Sequence, residues 1–493
     1  MSDPAEPPRH ADVVVVGAGS SGAVAAARLS EDDSREVVLI EAGPDFPAEA
    51  SDPPAFLVGG STMGENFAGA GAATPDLDWG YWSEPVVGER RVRLHRGRLV
   101  GGSSMVNGCV AVRGAPDDFA EWDRLGAHGW GWDDVVVHYR RVESEVPIRT
   151  YTPESWQPVE HAFAEGYTEL GFRPVADINA PDSWGGVVGA WPQNRRNEVR
   201  MGTLVTHVRP ARARRNFRVV DRALVDRVLI DRDRVTGVRY IRDGAAAEIE
   251  AGEVIVSAGA YGSPAVLQRS GIGPAGVLEA AGVPIIADLP VGEGLRDHPQ
   301  CLFIVHAPPA LARMCGPSFA VVARGHGYWS FPLPLDEERG IIGVAFGLDV
   351  REPRGTVAIR SADPAQAPAI DHRYRDVLHS DAFATAWSDF NDLCRTNAWQ
   401  RRGASGGDLD STLSAALRER LGTAFHASCS CAIGAVVDPK LAVFGIEGLR
   451  VADASVFPAN TTNNPNLTCL MVGDRAASFV ARERPLVEAE SVA

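Results

Sequence analysis

The chain has 493 residues, of which 45% are hydrophobic and 23% charged, and this composition excludes a disordered or membrane-embedded chain. At roughly 100 to 200 residues per domain, the length predicts two or three domains. The 64 acidic residues outnumber the 48 basic ones, so the net charge is −16, which argues against a nucleic-acid or anionic-membrane partner.

The cysteines and the N-terminal segment indicate the compartment. Seven cysteines are scattered along the chain without a CxxC pair, so we expect a reducing environment, no structural disulfide and no bound metal. The first ten residues are polar and Pro-rich, and no window contains about 18 uninterrupted apolar residues. We therefore predict a cytoplasmic protein without a membrane span and leave its oligomeric state open.

The beginning of the chain has the pattern of a strand–helix–strand unit. Residues 11–16 form a continuous, mostly β-branched run, which is typical of a strand covered on both faces. A helical pattern of small apolar residues starts at Ser20, and residues 37–40 form a second buried strand after a charged turn. This order predicts the first βαβ unit of a parallel sheet.

A glycine-rich motif joins the first predicted strand to the helix. Gly17, Gly19 and Gly22 form G-x-G-x-x-G, and Glu41 ends the second strand. In this context the glycines allow a tight turn, close approach of a diphosphate and helix–strand packing, and the acidic side chain can accept hydrogen bonds from ribose hydroxyls. A glycine-rich turn in an unrelated α/β protein is the alternative. The motif itself does not separate NAD from FAD.

Further along, the pattern changes twice. A Gly/Ser-rich stretch spans residues 96–114, and residues 253–262 carry another strand into a turn and a helix. Between 303 and 410, strands alternate with Pro-containing turns, which predicts a second, sheet-based domain. A buried strand at 449–453 and a closing helix at 467–480 then return to the earlier pattern. We therefore expect a nucleotide-binding domain assembled from separated segments.

The C-terminal motifs carry the family resemblance. His426 lies in FHASCSCAIG, and Asn464 follows 38 residues later in TNNPN. Together with DVVVVGAGSSGAVAAARLSED, RGRLVGGSSMVNG (96–108) and GAYGSPAVLQRSGIGP (259–274), these segments resemble the glucose-methanol-choline (GMC) flavoprotein oxidoreductases over nearly the whole chain and in the family's order. The resemblance implies an FAD cofactor, an alcohol substrate and a catalytic pair, which fall on His426 and Asn464 here.

Alcohol oxidation explains why such a pair is needed. A hydroxyl proton must leave while a hydride is transferred from the carbon, and a neutral imidazole with a pKa near 6.5 is a suitable proton acceptor. An Asn amide can hold the substrate oxygen without competing for the proton. Taken singly, His426 could be a satisfied core histidine, and Asn464 a turn residue.

The resemblance also implies the contacts of the cofactor. Because Val106 stands where some family members carry the histidine that attaches FAD, we predict noncovalent FAD. The residues expected at FAD are Gly17, Gly19, Ser20, Ser21, Gly22, Glu41, Ala42, Val100, Gly101, Gly102, Ser103, Asn107, Gly108, Val225, Asp453, Ala454 and Pro465.

The expected fold is α/β (α+β overall), with a Rossmann-like FAD-binding domain and an interleaved sheet-plus-helix substrate domain. We assign residues 11–145, 196–300 and 422–484 to the FAD-binding domain and 146–195 and 301–421 to the substrate domain. Residues 1–10 and 485–493 are expected to be loose termini.

Several departures from the family pattern leave alternatives open. The family's H-P-x-G-T-C-R-M-G becomes HASCSCAIG here, which alters the pocket wall. Cys429 and Cys431 are expected on opposite faces of a strand, so a disulfide is not favoured. For Asp297 and His298, a structural loop pair is favoured over a proton relay.

The reaction and the substrate also remain open at this stage. An FAD-containing lyase of the hydroxynitrile-lyase type and a noncatalytic FAD-binding protein are the alternatives to alcohol oxidation. The electron acceptor is O₂ or another carrier, and the partners are otherwise limited to a small-molecule alcohol. The excess of acidic over basic residues gives only weak support for a cationic, choline-like alcohol as the substrate.

Overall fold

The structure is a computed structural model that describes residues 7–47, 75–180, 183–315, 320–349 and 354–483. Most of the two predicted loose termini, residues 1–6 and 484–493, lies outside the described residues. The predicted arm does not extend to residue 10, because His10 pairs with Glu250 at the start of the first strand.

The strands and helices follow one another along the described chain. The strands are β1 (His10–Val16), β2 (Val37–Ile40), β3 (Tyr81–Trp82), β4 (Arg93–Leu94), β5 (Arg149–Thr150), β6 (Arg173–Val175), β7 (Val187–Ala190), β8 (Pro192–Gln193), β9 (Arg195–Arg196), β10 (Val199–Arg200), β11 (Phe217–Val220), β12 (Ala223–Asp231), β13 (Arg234–Arg242), β14 (Ala245–Val256), β15 (Glu293–Leu295), β16 (Pro299–His306), β17 (Val321–Arg324), β18 (Tyr328–Asp336), β19 (Ile341–Leu348), β20 (Gly355–Ala358), β21 (Ala369–Asp371), β22 (Gly422–Thr423) and β23 (Leu449–Val451). The helices are α1 (Ser20–Leu29), α2 (Pro116–Arg124), α3 (Trp132–Glu145), α4 (Pro158–Glu169), α5 (Arg209–Ala211), α6 (Gly259–Arg269), α7 (Ala275–Ala281), α8 (Asp381–Arg395), α9 (Asn397–Gln400), α10 (Leu413–Arg420) and α11 (Asn466–Glu483).

The first large sheet draws its strands from distant parts of the sequence. Its order is β11-β2-β1-β14-β13-β12, and β23 also pairs with β14. Strands β11, β2, β1, β14 and β23 run parallel, whereas β12 and β13 add an antiparallel flank. Most of β1 and all of β2 are buried, as their continuous apolar runs predict for strands covered on both faces.

Helices α1 and α11 pack together beside this sheet. The Ser21 hydroxyl donates to the Cys469 carbonyl at 2.7 Å, and the Arg28 guanidinium binds Asp474 at 2.6 Å. The side chains of α1 are mostly small, which allows the two helices to lie close together. Almost all residues of α1 are buried as a result. The beginning and the end of the chain therefore share one hydrophobic core.

The second large sheet has the order β22-β16-β19-β18-β17-β7-β6. It is antiparallel except between β6 and β7. Helices α4, α8 and α10 contribute apolar side chains, including Phe163, Phe390 and Leu417, to a separate core with this sheet. The expected mixed α/β fold with two sheets is confirmed, whereas the exact domain limits stay a prediction.

Among the described residues, every helix is either too short or too polar to cross a bilayer.

Candidate active site

A cavity of about 360 Å³ is lined by residues of both large sheets. Every residue predicted from the sequence to bind FAD or to act in catalysis lines it, with three exceptions, Gly22, Val100 and Gly101. Segments separated by hundreds of residues thus meet at one site, which includes the glycine motif near the N-terminus and Asn464 near the C-terminus.

The three exceptions lie behind the cavity wall. A Cβ on Gly22 would come within 2.0 Å of the Gly17 carbonyl oxygen, so this glycine serves the packing of α1 against the turn. Val100 is fully buried, and its N–H donates to the Pro44 carbonyl at 3.0 Å. The N–H of Gly101 donates to the Ala18 carbonyl at 2.8 Å. These three residues support the cavity wall in the structure, and contact with FAD stays a prediction for them.

The N-terminus of α1 suits an anionic group. No side chain caps it, and its first turn contains no acidic residue, so its N–H groups and positive end are available to a diphosphate. The loop after Val100 comes so close that a Cβ on Gly102 would lie 2.7 Å from the Cα of Gly19. These two backbone segments form a cradle that side chains would fill.

Glu41 is fixed at the end of β2. One carboxylate oxygen accepts the Ala18 N–H and the other accepts the Gly43 N–H, both at 2.9 Å. Each oxygen has a further lone pair for a ribose hydroxyl. Burial raises the pKa of Glu41 to about 7, although the N–H groups oppose this shift.

Two other predicted FAD residues also organise the wall. The Asp453 carboxylate accepts the N–H of Gly259 at 2.8 Å and the hydroxyl of Ser263 at 2.5 Å, so it joins the C-terminal segment to α6. The Asn107 carbonyl accepts from the buried Arg200 guanidinium at 2.6 Å. Val106, which stands where some family members carry the histidine that attaches FAD, also lines the cavity.

His426 follows β22 and is held through its backbone. Its N–H donates to Asp297 Oδ1 at 2.8 Å, and the N–H of His298 donates to the same oxygen at 2.8 Å. The other oxygen of Asp297 accepts the hydroxyls of Tyr374 and Thr423. The carboxylate therefore positions the two histidine backbones and does not contact the His426 ring through these bonds.

The rings of the two histidines meet directly. His298 Nδ1 lies 2.9 Å from His426 Nδ1, and the ring planes are nearly perpendicular. Burial lowers the pKa of His426 well below its usual 6.5, and His298 and Arg96 lower it further. His426 is therefore a neutral imidazole at neutral pH. The sequence favoured a structural role for the Asp297–His298 pair, and the fold adds the contact of His298 with the predicted base.

Asn464 and its neighbour differ in how their amides are used. Asn463 is fixed, since its carbonyl accepts from Arg324 and its amide nitrogen donates to the Arg113 carbonyl, both at 2.9 Å. Asn464 lines the cavity, and its Oδ1 is buried without a hydrogen-bond partner among the described residues. Such an atom costs free energy unless a ligand supplies the partner.

Sequence reasoning missed an aromatic group beside His426. Trp191, Trp329 and Phe331 line the cavity and belong to one apolar cluster. The Trp329 ring centre lies 5.7 Å from that of His426 and 5.8 Å from that of Phe331, with the last pair stacked. Trp329 and Phe331 lie on β18 and Trp191 directly follows β7, and neither segment contains a sequence motif, so the pairing of the sheet places these residues here.

The expectation for Cys429 and Cys431 was wrong in its premise, because the segment between β22 and β23 is not a strand at these residues. Cys429 has a φ of 71°, in the left-handed region. Both thiols are free and buried, and burial raises the pKa of Cys429 to about 11. These properties are those of packing residues and not of reactive thiolates.

Comparison with known sequences identifies the family. Sequence models of the GMC oxidoreductase N-terminal and C-terminal regions match residues 11–300 and 351–473. The chain belongs to the GMC oxidoreductase family. It is 31% identical to an oxygen-dependent choline dehydrogenase of Sinorhizobium medicae, over 97% of this chain and 96% of the relative.

Solved structures share the fold. A pyridoxine 4-oxidase of "Mesorbium loti" superposes with a TM-score of 0.85 at 24% identity, covering 97% of this chain and 100% of that one. A fungal aryl-alcohol oxidase gives a TM-score of 0.79 at 22% identity, with 97% and 100% coverage. The cradle at α1, Glu41 and the glycine loop fit FAD, the cofactor of this family. The chain is thus an FAD-dependent alcohol oxidoreductase of the GMC type, as expected from its sequence.

Proposed function

We propose that this GMC oxidoreductase oxidises an alcohol to an aldehyde or ketone, with His426 as the base and Asn464 orienting the substrate oxygen. The observation that carries the proposal is that His426, whose pKa is lowered by burial, lines the same cavity as the FAD cradle and the Asn464 side-chain amide, whose oxygen has no hydrogen-bond partner among the described residues. A proton acceptor and a hydroxyl-binding group are thereby available at one site.

The proposed steps divide between the two side chains. The Asn464 amide nitrogen donates a hydrogen bond to the substrate oxygen and fixes its direction, and Nε2 of His426 accepts the hydroxyl proton. FAD, when bound, supplies the hydride acceptor at its N5, so the alcohol loses a proton and a hydride in total. Burial of the ring favours its uncharged form, which keeps the imidazole available as a proton acceptor.

This role requires one tautomer of His426. The hydrogen bond between the Nδ1 atoms of the two rings requires that one Nδ1 carries the hydrogen and the other accepts it. If His426 Nδ1 donates it to His298, the Nε2 of His426 keeps its lone pair and can accept a proton. In the opposite arrangement, Nε2 carries the hydrogen and cannot act as a base. We therefore assign His298 as a positioning residue that accepts the hydrogen bond.

Replacing His298 with Ala is expected to slow flavin reduction by alcohol about 10- to 100-fold, as removal of a ring-orienting partner does elsewhere. His298 lowers the pKa of His426, so its loss raises that pKa and moves the acidic limb of the pH profile to higher pH. His298→Asn keeps an acceptor near Nδ1 and should restore most of the rate. Stopped-flow reduction across pH measures both effects, and an unmoved limb with an unchanged rate would contradict the assignment.

The function itself is tested by mixing the oxidised holoenzyme anaerobically with sugars, aromatic, aliphatic and amino alcohols. At least one alcohol is expected to bleach the flavin absorbance, with the matching carbonyl compound formed in equal amount. Cleavage of a cyanohydrin without bleaching would instead support the lyase, and no reaction with any compound would support a noncatalytic FAD-binding protein.

The same experiment addresses the electron acceptor. We propose O₂, because the curated relative from Sinorhizobium medicae is named an oxygen-dependent enzyme. Exposure of the reduced protein to O₂ should then return the flavin absorbance within the turnover time. If O₂ reoxidises the flavin much more slowly than the protein turns over with an artificial quinone as acceptor, the electron acceptor is another carrier and not O₂.

A further inference from the structure

The wall beside the proposed base is aromatic and fixed in place. Trp329 stacks on Phe331 with an angle of 14° between their planes, and its ring centre lies 6.2 Å from that of Trp191. Trp329 also contacts His298 edge-on at 6.3 Å between ring centres. We call Trp191, Trp329 and Phe331 the aromatic wall.

Backbone geometry makes room for this arrangement. Trp329 lies on β18 opposite Gly347 of β19. A Cβ at residue 347 would lie 2.1 Å from the Trp329 ring, so the indole occupies the space that a side chain would take. Trp329 is 6% exposed and Phe331 is 3% exposed. Held on several sides, the indole presents a planar apolar surface that cannot easily turn away.

The charges near the base disfavour a cation. The carboxylates that line the cavity among the described residues are Glu41 and Asp453, and both are bound by N–H or hydroxyl donors of the FAD cradle. Asp297 is buried behind the histidines and bound by four donors. The positive charge of Arg96 lowers the pKa of His426, so it also opposes a second positive charge near that ring. A buried cation without a paired anion is costly.

From the aromatic wall we infer that the preferred substrates are neutral alcohols whose carbinol carbon is attached to an aromatic ring, and that Trp329 determines this specificity. The inference rests on the proposed function and narrows its substrate class. Aromatic rings gain affinity from offset or edge contacts with the indole, and a ring held beside His426 places its carbinol within reach of the base. The described residues place no carboxylate on this side of the cavity, and cation–π attraction alone is a weaker basis for binding a quaternary ammonium group.

The test compares benzyl alcohol, 1-butanol and choline as reductants of the holoenzyme under anaerobic conditions. The expected order of second-order rate constants for flavin reduction is benzyl alcohol first and choline last. Trp329→Leu should lower the constant for benzyl alcohol at least about ten-fold while changing that for 1-butanol much less. Trp329→Phe keeps a ring and should retain most of the preference.

Trp82→Ala is the matched control, since Trp82 is 51% exposed and lies outside the cavity lining. Faster reduction by choline or 1-butanol than by benzyl alcohol overturns the inference and leaves the proposed function intact. An equal loss for benzyl alcohol and 1-butanol in both Trp329 variants overturns the role of Trp329. If none of the broad alcohol panel reduces the flavin, the proposed function fails together with the inference.

Discussion

Replacing His426 with Ala is expected to leave FAD bound and to slow flavin reduction by alcohol about 10²- to 10⁴-fold, the usual contribution of a positioned general base. In the proposed mechanism the imidazole accepts the proton, and it lines the same cavity as Asn464, whereas the bond from the residue's backbone N–H to Asp297 survives the substitution. The fold should therefore persist. Stopped-flow absorbance of the flavin under anaerobic conditions measures the rate, and the visible spectrum of the purified variant measures bound FAD.

The same base predicts a pH profile. A lowered pKa extends the neutral form of His426 to pH values below 6.5. Flavin reduction in the unmodified protein should therefore be nearly constant between about pH 6.5 and 8 and should fall only at more acidic pH. An acidic limb above pH 7 would show that a different group accepts the proton.

Matched variants separate catalysis from structure. Asn464→Ala should also slow reduction at unchanged FAD content, because the substrate oxygen loses its hydrogen-bond partner. His306→Ala removes an exposed histidine at the end of β16 and should leave the rate unchanged. Rates equal to the unmodified protein in both His426→Ala and Asn464→Ala would refute the assigned pair.

Replacing Gly22 with Ala is expected to destabilise the protein itself as well as to weaken FAD binding. The added Cβ would lie 2.0 Å from the Gly17 carbonyl oxygen and 2.9 Å from the Ser257 Cβ, and the Gly17 backbone cannot yield without opening the βα turn. Overpacking of this kind costs about 1 to 3 kcal/mol. Thermal unfolding of the apoprotein should show a lower Tm, and the purified variant should carry less FAD.

Gly19 provides the contrast. A Cβ at this residue meets no protein atom within 4 Å, and its φ of −75° suits any residue. Gly19→Ala should therefore leave the Tm of the apoprotein unchanged and reduce only FAD affinity, because the new methyl group enters the space of the diphosphate. Gly276→Ala in α7, which also meets no neighbour, should change neither property. A Tm loss for Gly19→Ala equal to that for Gly22→Ala would contradict this division.

Local patterns sufficed for the nucleotide-binding segments. The strand predicted at 37–40 has the observed bounds of β2, and the helix expected from Ser20 begins there. Each of these short segments consists mainly of buried residues that are either apolar or small. A glycine or a charged turn marks the ends of each segment. The predicted strand at 449–453 ends two residues early, at Val451, because Asp453 turns to bind Gly259 and Ser263.

Contacts between distant segments were beyond local patterns. His298 and His426 are separated by 128 positions, and the hydrogen bond between their rings follows from the shared acceptor Asp297. Cys429 was expected on a strand together with Cys431, yet the bond from its N–H to the Ala454 carbonyl, in the segment after β23, holds it with a positive φ. Neither feature has a periodicity that a window of sequence could reveal.

The sequence by itself determined the family, the FAD cofactor and the general α/β architecture, because the glycines and motif residues act through local backbone geometry that any bound diphosphate requires. The tertiary structure alone decided which motif residues line the cavity and which support it from behind. It also brought Trp191, Trp329 and Phe331 to the base, since strand pairing in the second sheet sets that juxtaposition. Specificity depends on such long-range packing, which leaves no mark at the level of a motif.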